Sequence, residues 1–141
     1  MAREDIASLI PHQGAMCLWE EVIDWDREHV RLRSHGHRDP DHPLRHEGRL
    51  HAVHLCEYGA QAMAVHGGLL AGAAGEPVKP GMLVALRGVQ LQAERIDDLA
   101  GALEVEAHCL LADGSGSQYG FVIRHGGVEI ASGRAAVLYA Q

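Results

Sequence analysis

Aromatic side chains make up only 4% of this 141-residue chain. The bulk of a core therefore has to come from Leu, Val, Ile, Ala and Met. No run approaches the roughly 18 consecutive apolar residues of a spanning helix, so no membrane span is expected. The opening MAREDIASLIPHQG is charged early and lacks the apolar stretch of a secretory signal, so the cytoplasm is the expected compartment. Cysteine is scarce. Cys17, Cys56 and Cys109 are odd in number, far apart and without a CxxC pair, which fits buried, reduced thiols rather than a disulfide framework. Positive charge is short too: 12 Lys and Arg stand against 19 Asp and Glu, for a formal net charge of −7. A nucleic-acid backbone wants a positive footprint, so no nucleic-acid partner is expected, even though Arg27, Arg31, Arg33 and Arg38 are grouped. There is no internal repeat and no shift in composition, and the length suits one domain over 1–141.

What is present is a clear order of elements. A short helix is expected over Arg3–Leu9, stopping before Pro11. Residues 15–25 read as a strand, with Trp19, Val22, Ile23 and Trp25 as its apolar content. Residues 28–35 alternate Val30 and Leu32 with Arg31 and Arg33, the pattern of a half-buried strand. The polar run from Gly36 to Gly48, with two prolines, is a loop. A helix follows, weakened at Gly67-Gly68 and stopped by Gly72 and Gly75. Four strand-like runs then cover Met82–Ala93, Ala102–Leu111, Gln118–Arg124 and Val128–Tyr139, the last two joined by a Gly126-Gly127 hairpin signal. One buried helix followed by a long antiparallel meander is an α+β pattern. The helix is the element available to cover the sheet, and open sheet edges invite pairing with another copy.

The most informative stretch is HAVHLCEYGAQAMAVHGGLLA, residues 51–71. Every face of that helix is small or apolar apart from one carboxylate, one amide and a few imidazoles, and a helix apolar all round is buried. Glu57 is the carboxylate. Burial makes it costly unless it is paired or used, and would raise its pKa. Gln61 lies one turn later on the same face, and His54 lies one turn before.

Eleven histidines raise the question of metal. His35-x-His37 with His42, His46, Asp39 or Asp41 has ligand chemistry, but no HExxH and no nearby Cys accompany it, so neither a metal nor another cofactor is expected. Ser115 and Ser117 lie outside any GxSxG elbow. The glycines from Gly67 to Gly75 lack the Lys-Ser/Thr of a phosphate loop.

Leu9-Ile10-Pro11-His12-Gln13-Gly14-Ala15-Met16, followed by Cys17-Leu18-Trp19-Glu20-Glu21-Val22, resembles the "PHR…hLLhDxV" opening of the hotdog-fold 3-hydroxyacyl-[acyl-carrier-protein] dehydratases. Glu57-Tyr58-Gly59-Ala60-Gln61 resembles their "E-x-x-A-Q" helix, and the order of elements is theirs. The resemblance covers nearly the whole chain. It is strongest to the divergent dehydratase-like proteins of aryl-polyene-type biosynthetic clusters. It implies the hotdog fold, an antiparallel sheet wrapped around one long central helix.

The resemblance also implies a site. In the main dehydratases a "GHFPGxPxxPG" loop places the catalytic histidine fourteen residues before the helix acid. Here that position is Pro43; His42 misses it by one residue, and His51-Ala52 replaces the final Pro-Gly. The implied roles are Glu57 as acid or water-holding group, His42 or failing that His12 as base, Gln61 as an orienting amide, and the Ala52 amide facing the thioester oxygen. Helix residues and Met82–Leu91 would line the acyl pocket. The implied substrate is an acyl chain on acyl-carrier protein. A homodimer or higher symmetric oligomer is expected, or a hetero-oligomer with another dehydratase. A carrier protein is itself acidic, so docking would use Arg45, Arg49, Lys79 and Arg87. Two other readings stand beside the dehydratase: a non-catalytic acyl-binding or scaffold subunit, motivated by the lost loop motif, and a hotdog thioesterase.

Overall fold

The computed structural model describes Ile6, residues 17–77 and residues 81–139. The helix expected over Arg3–Leu9 lies outside the described residues apart from Ile6, which is buried. His12 and Lys79 also lie outside them.

Six strands form one antiparallel sheet: β1 (Glu21–Trp25), β2 (His29–Ser34), β3 (Gly81–Leu91), β4 (Leu103–Ala112), β5 (Gly116–His125) and β6 (Val128–Tyr139). Their spatial order is β1-β2-β4-β5-β6-β3. The helix α1 (Leu55–Ala73) packs across β2, β4 and β5. This is the hotdog arrangement.

Side-chain alternation decides which face meets α1. Val30 and Leu32 on β2, Leu103, Val105 and Ala107 on β4, and Phe121 and Ile123 on β5 are buried. Burying each large side chain contributes about 1.5–3 kcal/mol. The outer face carries a charged row in which Glu21 stands opposite Arg33 and Arg33 opposite Glu104. Arg33 pairs with Glu21 at 2.8 Å and with Glu104 at 3.0 Å, bonds that are exposed and individually weak.

Aromatics are few but central. Trp19 and Tyr58 are among the largest fully buried side chains, and Tyr119 and Phe121 are buried as well. The sequence expectation of an aliphatic core needs that amendment.

The strand expected over 15–25 begins only at Glu21. Cys17, Leu18 and Trp19 are buried against the helix instead. The Leu18 N–H donates to Gln61 Oε1 (2.9 Å) and the Trp19 indole N–H to the Tyr58 carbonyl (2.7 Å). These two donors go to helix groups, and the Leu18 carbonyl accepts the Ser34 hydroxyl (2.7 Å), so the ladder with β2 starts only later.

Gly67, Gly68 and Gly72 lie within α1, and the stop comes at Gly75, whose φ is +68°. The Gly75 N–H reaches the Gly72 carbonyl (3.2 Å) and the Glu76 N–H the Ala71 carbonyl (2.9 Å). That pair of bonds is a Schellman cap, which wants glycine at the left-handed position. Gly126 and Gly127, at φ +57° and +79°, turn β5 into β6 as a two-residue hairpin.

Among the described residues no helix is long and apolar enough to cross a membrane. Cys17 is buried, while Cys56 and Cys109 are half-buried rather than enclosed.

Candidate active site

The start of the helix is fixed from outside. A 3-10 turn, Ala52–His54, leads into α1. The Ala52 N–H donates to the Glu94 carbonyl (2.9 Å), the Ile96 N–H to the Leu50 carbonyl (2.9 Å), and the Leu50 N–H to Asp97 Oδ1 (2.8 Å). Asp97 is itself paired with Arg95. The Arg95 guanidinium, helped by the Leu50 amide, holds the Asp97 carboxyl far below the usual carboxylate range. These bonds correct one expectation. The Ala52 amide is spent on Glu94 and does not face a substrate oxygen. The next amide belongs to Val53, the exposed residue of that 3-10 turn, where N–H groups lack intrahelical acceptors.

Glu57 stands in the first turn of α1 and is half-buried, not sequestered. The positive end of the helix dipole favours a carboxylate there. Gln61, fully buried, donates from Nε2 to Glu57 Oε1 (3.2 Å). Its other end accepts the Leu18 N–H, which fixes the amide's orientation. The expected Glu57–Gln61 contact is therefore present, and Leu18 anchors it.

His42 is buried in the loop that follows the 3-10 turn Gly36–Arg38. Its Nε2 lies 3.0 Å from the Tyr58 hydroxyl, and its Nδ1 accepts the Leu44 N–H at 3.1 Å. The His42 and Tyr58 rings lie nearly parallel, 6.2 Å between centroids, and Trp19 meets Tyr58 edge-on at 5.3 Å. Burial, and then the charge of Arg45, push the His42 pKa down. Beside this pair is a crevice of about 70 Å³ lined by Cys17, Leu18, Glu20, Asp39, Asp41 and Tyr58, among others. Glu57 is not in that lining.

Sequence reasoning missed Tyr58. A tyrosine in an otherwise apolar helix is a signal, because a buried hydroxyl needs a partner.

The other imidazoles separate. His37 is buried, bonds the Leu99 carbonyl from Nε2 (2.7 Å) and has a pKa lowered by burial. His35, His46 and His51 are exposed. Among the described residues no three His, Cys, Asp or Glu side chains group as a metal site. Arg45 spends its guanidinium on the carbonyls of Gly48 (2.7 Å) and Arg38 (3.0 Å), which among the described residues leaves Arg49 and Arg87 as the exposed cations of the expected docking group.

A family model described as ApeP dehydratase matches residues 4–141. The chain belongs to the ApeP-like dehydratase family. Among solved structures it is similar to the dehydratase heterocomplex ApeI:P from Xenorhabdus doucetiae, at 25% identity and a TM-score of 0.88, over 96% of this chain and 91% of that one. It is also similar to AziG from S. sahachiroi, at 13% identity and a TM-score of 0.63, over 86% and 90% of the two chains. A hypothetical thioesterase protein with coenzyme A from Streptococcus pneumoniae TIGR4 gives 13% identity and 0.63 over 99% and 97%. The last two share the fold alone. No curated protein sequence matches significantly. In this ApeP-like chain the helix carboxyl and its glutamine stand together, while the loop histidine faces a tyrosine.

Proposed function

We propose that this dehydratase acts on 3-hydroxyacyl thioesters carried by acyl-carrier protein, with Glu57 as the reacting carboxyl. In such a dehydration a base takes the proton from C2, its electron pair forms the C2–C3 double bond, and the C3 hydroxyl leaves as water with a proton from an acid. A donor meanwhile steadies the enolate-like thioester oxygen. The observation that carries the assignment is the fixed pair: Gln61, locked by the Leu18 amide, presents a donor to Glu57 at the start of α1. The Glu57 carboxyl holds the C3 hydroxyl and passes it the proton with which it leaves as water. The Val53 amide replaces that of Ala52 as donor to the thioester oxygen. The base is His12 or an imidazole of a second subunit, because both ring nitrogens of His42 are already engaged.

A second subunit has support of its own. The relative from Xenorhabdus doucetiae is a dehydratase heterocomplex. In the present chain β3 is an edge strand whose Met82, Leu83, Val84, Leu86, Val89 and Leu91 are exposed. An edge of that kind asks for a partner. Pairing of β3 with another dehydratase subunit, or with a second copy, would cover it and wall the acyl slot.

The test is product analysis with 3-hydroxyacyl-carrier protein, using the chain alone and with a partner dehydratase. Enoyl product that falls away in Glu57→Gln supports the proposal. Product only with the partner, unchanged by Glu57→Gln, assigns the scaffold role. Free acid assigns a thioesterase.

A further inference from the structure

We propose that Tyr58 is a positioning residue which, together with the Leu44 amide, holds His42 as the neutral Nε2–H tautomer, so that His42 fixes the loop beside the site and takes no proton from substrate. The inference deepens the reading of Glu57 as the reacting carboxyl and rests on it for its kinetic arm.

A backbone N–H can only donate, so the Leu44 amide at 3.1 Å requires a lone pair on Nδ1. A neutral imidazole then carries its proton on Nε2, and that N–H donates to the Tyr58 oxygen at 3.0 Å. The reverse direction, Tyr58 donating to Nε2, would leave the ring without a proton. A base must accept a proton on a free lone pair. Here the lone pair is closed by Leu44, and protonating it would set two N–H groups against each other.

The surroundings agree. The groups acting on the ring are Arg45, His37 and Asp39 from the loop and His54 from the 3-10 turn ahead of α1; of these only Asp39 favours a charged imidazole. Burial opposes charge more strongly than any of them. The Tyr58 carbonyl in turn holds Trp19 Nε1 at 2.7 Å. The loop, the extended stretch before β1 and the first turns of α1 therefore meet at Tyr58, one residue beyond Glu57. What the pair does for the reaction is fix the backbone that carries the carboxyl.

Two measurements test this on the intact protein. In the first, nitrogen-15 spectra of the imidazoles are recorded across pH, with His42 assigned by its loss in His42→Gln. A proton on Nε2, a bare Nδ1 and no titration near the ordinary histidine value support the proposal. A proton on Nδ1, or titration near pH 6.5, overturns it. This arm needs no substrate, so it decides the tautomer even where the dehydratase reading fails.

The second arm is kinetic. Glutamine can donate to Tyr58 as Nε2–H does but has no basicity. His42→Gln is expected to lose less than about tenfold in kcat, whereas loss of a general base costs on the order of 10²–10⁴-fold. His42→Ala and Tyr58→Phe are expected to lose more kcat than His42→Gln, at similar KM. A His42→Gln variant that folds normally yet is as inactive as His42→Ala overturns the proposal, and so does full activity in all three.

Discussion

Replacing Gly59 by alanine tests the packing that places the site. Gly59 lies on the buried side of α1. A Cβ there would stand 2.8 Å from Phe121 Cδ2 and Cε2 and 2.9 Å from Cδ1. Phe121 is buried with its far edge toward Gly133 of β6, so the ring can make room only by moving within the packed core. Phe121 is thus held between a glycine of the helix and a glycine of β6. Gly67, in the same helix, is the control: a Cβ there meets nothing within 4 Å.

Both substitutions gain the same helix propensity, about 0.8–1.0 kcal/mol. Gly59→Ala must also overpack the Phe121 contact, which costs about 1–3 kcal/mol. The net expectation is a loss of about 0–2 kcal/mol for Gly59→Ala and a gain of up to about 1 kcal/mol for Gly67→Ala. Propensity cancels in the difference between the two variants, leaving the packing cost alone. Urea denaturation at equal protein concentration measures it. Two variants of equal stability would show that the helix and Phe121 separate without cost, and the close approach at Gly59 would not be what seats α1. Because Glu57 lies two residues earlier, Gly59→Ala should also lower kcat.

Glu57→Gln is expected to reduce enoyl formation by on the order of 10²-fold or more while keeping the fold, since its amide oxygen can still accept from Gln61; a wild-type rate would remove Glu57 from the site. Gln61→Ala leaves the buried Leu18 N–H without its acceptor, so unfolding should cost about 1–3 kcal/mol less, read from denaturant midpoints, and a midpoint equal to wild type refutes the anchor. Asp97 has its folded pKa held low by Arg95, so its stabilisation is full above the unfolded value of 3.8 and is lost as pH falls through the folded one. Asp97→Asn should therefore lower the Tm at pH 7, with the gap narrowing on acidification; a constant gap counts against the pairing. His66 is buried, donates from Nε2 to the Asp26 carbonyl (2.8 Å) and accepts the Tyr119 hydroxyl on Nδ1 (2.5 Å). Burial lowers its pKa, so its contribution is present above about pH 6.5 and is lost as pH drops below that. Thermal melts between pH 7 and 5 should fall less steeply in His66→Gln than in wild type.

The fold was legible because its signals are local. Alternation at Val30, Arg31, Leu32 and Arg33 marks β2. Gly126-Gly127 marks the β5–β6 turn, and Gly75 marks the end of α1. Even the boundaries of β3 to β6 fall within two residues of those read from the pattern. What failed is non-local. Nothing in Cys17-Leu18-Trp19 says that its backbone will bond a helix instead of a strand, because the acceptor, Gln61, is 43 residues away.

The site divides along the same line. Glu57 and Gln61 are one helical turn apart, so their contact follows from spacing alone and is found. The two other assignments depend on partners that spacing does not show. The Ala52 amide was assigned by its distance from Glu57, yet its acceptor is Glu94, on a segment that comes after the helix. His42 was assigned by its offset from a family motif, but what an imidazole can do depends on what occupies each nitrogen, and the two occupants are a neighbour at Leu44 and a tyrosine 16 residues on. Residue type and spacing thus place a carboxyl beside its glutamine, since that contact lies within one helical turn. They cannot identify a histidine as a base, since the same ring is donor or acceptor according to partners that only the folded chain supplies.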